Sequence, residues 1–439
     1  VNRRIASVTT TNSYRWYVVF LLTLAYVFSF IDRQILSLLI EDIKFDLKIS
    51  DTEFSLLSGF AFSLFYAIMG LPIAYFADRY SRVRIIASGV AFWSLATILC
   101  GLTRNFAQMF FARVGVGIGE AALTPATYSM LSDMFTRDKL GRALGTYSIG
   151  AFFGGGLAFL VGGYVVATLG GSPVVQLGPF GQLRSWQLVF FIVGAPGLLI
   201  ALIILATIRD PRALTAPVTS GSGGEALQFI RAHVGTFFFI FVGFSFFAMC
   251  QYALMNWTPA LYIRKFGLTQ AQTGYLLGSV LLFSSTAGAF CGGWLIDLLQ
   301  RRNRTDAAIL SGIIGAVLLI PTALGAALAS QLWLSIALLI PAMFFSSFPL
   351  STSAAAIQVL VPRHLRAQIS SIFLLISNII GMGIGTMLVA IITDQYFGDD
   401  RAVDRSLAVV IALAGSACVL LLGRGRAYYR SSFTIQNND

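Results

Sequence analysis

The chain has 439 residues, 57% of them apolar, with 42 glycines and only 11% charged residues, and its mean hydropathy is +0.80. Soluble domains carry about a quarter charged residues, so these few charges could not cover an aqueous surface and a soluble globular protein is excluded. The net charge of +11 therefore has to be read through where it falls along a membrane chain.

A polar leader, Val1 to Tyr14, has no cleavage-site pattern, so the N-terminus is expected to be retained. A hydrocarbon core about 30 Å thick needs about 20 mostly apolar residues per helix. Twelve such runs follow: 16–40, 53–77, 83–102, 106–131, 140–168, 186–208, 235–262, 271–299, 307–328, 331–361, 367–395 and 405–423. Barrel strands would be about ten residues long with strict alternation, a pattern the sequence lacks. The longest polar connection, Arg209 to Val234, contains Pro211, Pro217 and the stretch Ser220–Gly224, which is linker composition. The expected fold class is an all-α polytopic membrane protein with two six-helix bundles, 1–208 and 235–439, joined by a cytoplasmic linker, 209–234.

With the N-terminus inside, cytoplasmic segments hold 20 of the 30 Lys and Arg and the outer loops 8, while acids divide 8 inside and 9 outside. The remaining four charges, Asp32, Arg33, Arg113 and Glu120, fall within spans. The cytoplasmic face is thus +12 and the outer face −1, the positive-inside signature. Nucleic-acid binding is not needed to explain the basic balance.

The halves repeat. A shift of 219 residues places Gly59 on Gly278, Ala74 on Gly293, Asp78 on Asp297 and Arg82 on Arg301. The same shift places Ser50-x-x-Glu53 on Thr269-x-x-Gln272, two capping boxes that would start the second and eighth helices. An even number of spans per half makes the repeat parallel, with a pseudo-two-fold axis along the membrane normal and a cavity between the bundles.

The connection after the second span reads Ala74-Tyr-Phe-Ala-Asp78-Arg79-Tyr-Ser81-Arg82, and its partner Gly293-Trp-Leu-Ile-Asp297-Leu-Leu-Gln-Arg301. An Asp at a helix end with an Arg four residues on can pair with the neighbouring bundle's helix ends and hold one face shut. This resembles motif A of the major facilitator superfamily, Gly-x-x-x-Asp-Arg-x-Gly-Arg, with Ala74 and Ser81 in place of two glycines. The resemblance implies a cytoplasmic gate of Asp78, Arg82, Asp297 and Arg301, with Asp133 and Arg142 as further charged partners. Arg113-Val-Gly-Val-Gly117-Ile-Gly119-Glu120 resembles motif B of that superfamily. Its GxGxG follows no strand and lies in a span, so close helix packing is expected rather than a nucleotide loop. Gly141, Gly150, Gly154 and Gly155 resemble the antiporter-type motif C without its proline.

A narrower resemblance rests on Phe30-Ile-Asp32-Arg33, on Ile40-Glu-Asp-Ile-Lys44 and on Arg113 through Glu120 to Pro125. These look like the spinster branch, whose eukaryotic members are associated with lysophospholipid and sphingosine-1-phosphate transport. Short tails and loops look bacterial, which implies a bacterial inner membrane with both termini cytoplasmic.

The charges also carry an argument of their own. Asp32 and Arg33 lie about 100° apart on one helix and cannot face each other, whereas Arg113 and Glu120, seven residues apart, share a face. The first pair can sit between the second, as a neutral quartet. Arginine does not deprotonate in proteins and His233 and His364 lie in connections, so an exchanged proton must ride on Asp32 or Glu120. Gln251, Asn256, Ser346, Ser347, Ser351, Thr352 and Asn378 are further polar candidates for the cavity. The second half has no ionisable residue at mid-membrane and is rich in Phe and Met there, a wall suited to an amphiphile with an ionic head.

The expected function is proton-coupled secondary transport of an amphipathic, lipid-like substrate by alternating access, with protons as coupling ion, no other cofactor, no metal, membrane lipids as surroundings and a monomeric state. Uptake of a small organic anion on Arg33 and Arg113, or of a drug, is the same-fold alternative. A channel or a membrane enzyme fits less well: no HExxH, Walker A or GxSxG pattern occurs, and Cys100, Cys250, Cys291 and Cys418 lie in apolar runs as small core residues.

Overall fold

A computed structural model describes residues 11–169, 174–176, 182–210, 223–362 and 365–436. Pro211, Pro217, Ser220 and His364 therefore lie outside the described residues. Among the described residues, eleven helices are long and apolar enough to cross a membrane. The remaining span, the fourth, is divided into Phe106–Glu120 and Leu123–Met134 by a turn at Ala121 and Ala122. With it the structure has the twelve helices of the expected fold.

Both capping boxes form. Ser50 Oγ accepts from the Glu53 N–H at 3.1 Å while the Glu53 carboxylate accepts from the Ser50 N–H at 2.9 Å. Thr269 and Gln272 exchange the same two bonds at 3.2 and 3.0 Å. They satisfy backbone donors where the chain re-enters the membrane, which would otherwise be costly to bury.

The first span, Asn12–Leu38, runs to a single non-helical residue, Leu39, and continues as a short helix, Ile40–Leu47. The second half begins with Val234–Phe266, preceded by a connecting helix, Gly223–Ala232. The last helix, Val403–Gln436, is 34 residues long and outruns its apolar segment. A two-stranded hairpin, Val174–Gln176 with Gln182–Arg184, links the fifth and sixth spans.

Tyr14 OH reaches the Thr207 carbonyl at 3.2 Å and Thr236 meets Ser432 at 2.9 Å. These contacts put the described start and end of the chain at one end of the bundle, the termini end; the loops around Lys44, Thr103, Arg184 and Asp400 form the far end. The two halves touch along the fifth and eighth spans and along the second and eleventh. At the second contact a Cβ on Gly59 would lie 2.0 Å from Thr386 Oγ1 and 2.7 Å from the Met382 carbonyl. Only glycine permits this approach.

Candidate functional site

The fourth span is drawn in by its glycines. A Cβ on Gly119 would lie 2.7 Å from Trp93 N, and one on Gly117 would lie 2.8 Å from the Phe62 carbonyl. The GxGxG stretch is thus a packing face against the second and third spans, and it carries Arg113 and Glu120 up to the first span. The helix ends immediately after Glu120. Asp32, Arg33, Arg113 and Glu120 are all 6% exposed or less.

Their pairing is uneven. Arg33 grips Glu120 with Nε and Nη2, both at 2.6 Å from Oε2, and Ser29 Oγ donates to the same oxygen at 2.6 Å. Glu120 Oε1 is buried without a hydrogen-bond partner. The Arg33 guanidinium also lies over three rings, Phe62 at 4.6 Å, Phe30 at 4.8 Å and Tyr66 at 5.0 Å. Phe62 faces Arg113 too, at 5.6 Å.

Arg113 does not complete the expected quartet through the Asp32 carboxylate. Its Nη1 donates to the Asp32 backbone carbonyl at 3.4 Å and its Nε to the Leu57 carbonyl at 3.3 Å, and its Nη2 has no partner. Asp32 accepts instead from Thr97 Oγ1 of the third span, at 3.0 Å on Oδ2, and its Oδ1 has no partner. The four charges share one buried cluster, but with one tight ion pair and two charges held by neutral groups. Neither Ser29 nor Thr97 was singled out from the sequence. Ser29 was legible as the hydroxyl one turn before Arg33; nothing in the sequence pointed to Thr97.

At the termini end, the ion pairs of Arg82 and Asp306 lie inside their own halves. Arg82, expected to reach the other bundle, is fully buried in its own. It binds Asp133 at 2.7 Å, Ser129 at 3.1 Å and Asp210 through its side chain at 3.1 Å and its backbone N–H at 2.6 Å. Asp210, at the end of the sixth span, and Asp133 take the cation before any second-half group can. In the second half, buried Asp306 accepts from Arg426 at 2.6 Å and Arg430 at 2.8 Å of the last helix. Burial pushes the Asp306 carboxyl up, but those two guanidinium groups more than reverse this and hold it below the ordinary carboxylate range. Asp78 lies in the helix Ala61–Arg79, but its side chain is outside the described residues. Arg142, Asp297 and Arg301 are exposed, without an ion pair among the described residues.

The far end differs: there ion pairs join the halves. Arg264 of the seventh span donates to both oxygens of fully buried Asp51, at 2.6 and 2.7 Å, and to Glu41 at 2.7 Å. Lys44 bridges Asp51 at 2.6 Å and Asp400 at 2.7 Å. The Thr52 N–H and hydroxyl both donate to Asp394, at 2.6 and 2.7 Å. Asp46 holds the short helix Ile40–Leu47 to the sixth span through Trp186 Nε1 and Arg184. In the sequence Glu41 and Lys44 entered only through the resemblance, and nothing singled out Asp51, Arg264, Asp394 or Asp400; their convergence is a tertiary fact.

Among the cavity candidates, Ser346, Ser347, Ser351 and Thr352 bond back to their own helix at 2.9–3.2 Å. Asn256 donates to the Tyr252 carbonyl at 2.9 Å and keeps a buried, unpartnered Oδ1. Gln251 and Asn378 are half-buried.

A family model described as Major Facilitator Superfamily matches residues 22–386. An MFS-type efflux pump of Mycolicibacterium smegmatis is 28% identical over 413 residues, 92% of each chain. A probable L-galactonate transporter of Escherichia coli is 26% identical over 294 residues, 64% of this chain and 61% of that one. Among solved structures, a bacterial homologue of the human lysosomal transporter Spinster, inward-facing and unoccupied, is 28% identical with a TM-score of 0.79, covering 97% of this chain and 98% of that one.

Proposed function

Because the chain belongs to the Major Facilitator Superfamily, we propose that it is a proton-coupled secondary transporter of an amphipathic, lipid-like anion, working by alternating access in a bacterial inner membrane with its termini in the cytoplasm. The observation that carries this reading is the buried Arg33–Glu120 pair, with Glu120 Oε1 and Asp32 Oδ1 left without partners. Charges in a span cost about 3 kcal/mol each on insertion scales, so four of them in one cluster demand a use.

Arg33 and Arg113 keep their protons; the carboxylates are the groups that can exchange one. Protonation of Glu120 removes Arg33's counter-charge and frees the guanidinium for an anionic head group or for re-pairing. The rings of Phe30, Phe62 and Tyr66 around it offer an apolar approach for the rest of an amphiphile. Alternating access draws support from the Arg264–Asp51 and Lys44–Asp400 pairs, which join the halves at the far end.

The test is transport in proteoliposomes under an imposed pH gradient, with a fluorescent lysophospholipid and with galactonate as separate probes. Gradient-driven lysophospholipid movement supports the reading. Movement of galactonate alone would favour uptake of a small organic anion on Arg33 and Arg113, a second reading motivated by the galactonate-transporter relative. Movement of neither probe under either gradient direction would leave the lipid-like assignment without support.

A further inference from the structure

Hydroxyl groups inside the spans mostly turn back on their own helix. Thr23, Ser245, Thr258 and Thr386 each donate to the carbonyl four residues earlier, at 2.5–2.7 Å. That is the ordinary way for a helix to satisfy a Ser or Thr in an apolar medium. Ser29 does not do this. Its hydroxyl, on a residue 1% exposed, crosses from the first span to the fourth and donates to Glu120 Oε2.

Ser29 and Arg33 are four residues apart, so they lie on one face of the first span and reach the same oxygen. A guanidinium normally meets a carboxylate fork to fork, using both oxygens. Here three donors crowd onto Oε2 at 2.6 Å each, and Oε1 has none. The carboxylate is held by one side.

Resting on the proton-coupled reading above, we propose that Ser29 is the positioning residue of the proton step: its bond to Oε2 fixes Glu120 so that Oε1 alone receives and releases the proton. On loading, a proton from water forms the Oε1–H bond. Oε2 becomes the carbonyl oxygen of a neutral acid and still accepts from Ser29, while Arg33 keeps its proton and loses its counter-charge. On release the Oε1–H bond breaks, the proton returns to water, and the ion pair reforms.

The charged groups facing Glu120 are Arg33 and Asp32 of the first span and Arg113 of its own helix. Tyr26, Tyr66 of the second span and Tyr252 of the seventh surround Arg33. Tyrosines ordinarily titrate near pH 10 and arginines higher still, so Asp32 and Glu120 are the groups of this cluster that can exchange a proton. A hydrogen bond donated to the charged form lowers proton affinity. Loss of the Ser29 hydroxyl therefore makes Glu120 hold its proton more tightly.

The experiment is an infrared titration of the full-length protein in liposomes, following the carboxylic-acid C=O band that Glu120→Gln removes. Ser29→Ala should move the midpoint of that band to higher pH, by about one unit or more, and raise its frequency because the carbonyl loses a donor. Ser29→Thr, which keeps the hydroxyl, should hold the wild-type midpoint. Should Ser29→Ala fail to fold, Ser29→Cys, a weak donor, must shift the midpoint in the same direction. An unshifted midpoint in the folded variant, or an equal shift in Ser29→Thr, overturns the proposal. If Glu120→Gln removes no band at any pH, the proton-coupled reading itself fails and takes this inference with it.

Discussion

The far-end ion network offers the sharpest test of how the two halves are held. Arg264→Ala removes four charge-assisted hydrogen bonds at once, two to Asp51, one to Glu41 and one to the Asp400 carbonyl. Asp51 is fully buried and keeps Lys44 at 2.6 Å, and the Glu41 side chain is 33% exposed and can rehydrate. Breaking a buried ion pair costs about 3–5 kcal/mol; the surviving lysine and the half-wet glutamate place this case near the lower figure, about 3 kcal/mol. Because Arg264 and Asp51 belong to different halves, this energy is present only while the far end is closed. Its loss should move the closed-to-open ratio by about a hundredfold, since about 1.4 kcal/mol corresponds to each factor of ten.

Spin labels at Phe45 and Tyr396, which are 78% and 80% exposed at the far end of the two halves, would report this as a pulsed-resonance distance in a background without the native cysteines. The expected result for Arg264→Ala is a new, longer distance component at neutral pH. Lys44→Met should give the same sign with a smaller amplitude, because its Asp400 partner has a side chain 55% exposed and is worth less. A distribution identical to wild type in Arg264→Ala would mean that the network contributes nothing to closure, and the reasoning would fail.

Glu120→Gln, and separately Asp32→Asn, should abolish pH-dependent transport while the protein still purifies folded; wild-type transport with intact pH dependence in both would make the cluster purely structural. Thr97→Val removes the donor to Asp32 Oδ2 and should move the pH profile of transport if Asp32 shares the proton, with Thr97→Ser restoring it. Asp78→Asn should raise labelling of reporter cysteines at the termini end, since the loss of a motif A carboxylate is expected to favour the state open there; unchanged labelling would count against the gate. Asp306 is held below its ordinary range, so its contribution to stability is full above its unfolded-state value of about 4 and is lost as pH falls through the lower folded-state value. Asp306→Asn should accordingly lower the thermal midpoint at pH 7, and the gap to wild type should narrow below about pH 4.

Much of the architecture was legible because a membrane imposes strong local rules. Length and apolarity marked every span, and Ser50-x-x-Glu53 and Thr269-x-x-Gln272 form the two helix starts that their spacing announced. Such features depend on neighbours within a turn or on the thickness of the bilayer. The fourth span marks the limit of that reading: its apolar run is continuous in sequence, yet the helix breaks after Glu120. There the Ala121 N–H still donates to the Gly117 carbonyl four residues back, while the Ala122 N–H donates to the Gly119 carbonyl, three back, both at 3.2 Å. Neither alanine is a helix breaker by propensity. At this turn the third and fourth spans pack closely, and a Cβ on Gly89 would lie 2.6 Å from Ala122 Cβ.

Packing depth likewise explains why the four buried charges were found but their pairing was not. Seven-residue spacing puts Arg113 and Glu120 on one face only while the helix between them is regular and straight. The helix is regular from Phe106 to Glu120, so the shared face is real, and both side chains do reach the first span. What spacing cannot supply is the depth at which each arrives, because that depends on how far the glycine face sinks against Phe62 and Trp93. The fourth span settles where Glu120 meets Ser29 and Arg33 one turn apart, while Arg113 meets the Asp32 carbonyl instead of its carboxylate. A rise of about 1.5 Å per residue makes a displacement of one residue enough to exchange a carboxylate for a carbonyl. The Asp32 carboxylate is then left to a threonine of the third span, whose position no periodicity in the first or fourth span could have encoded.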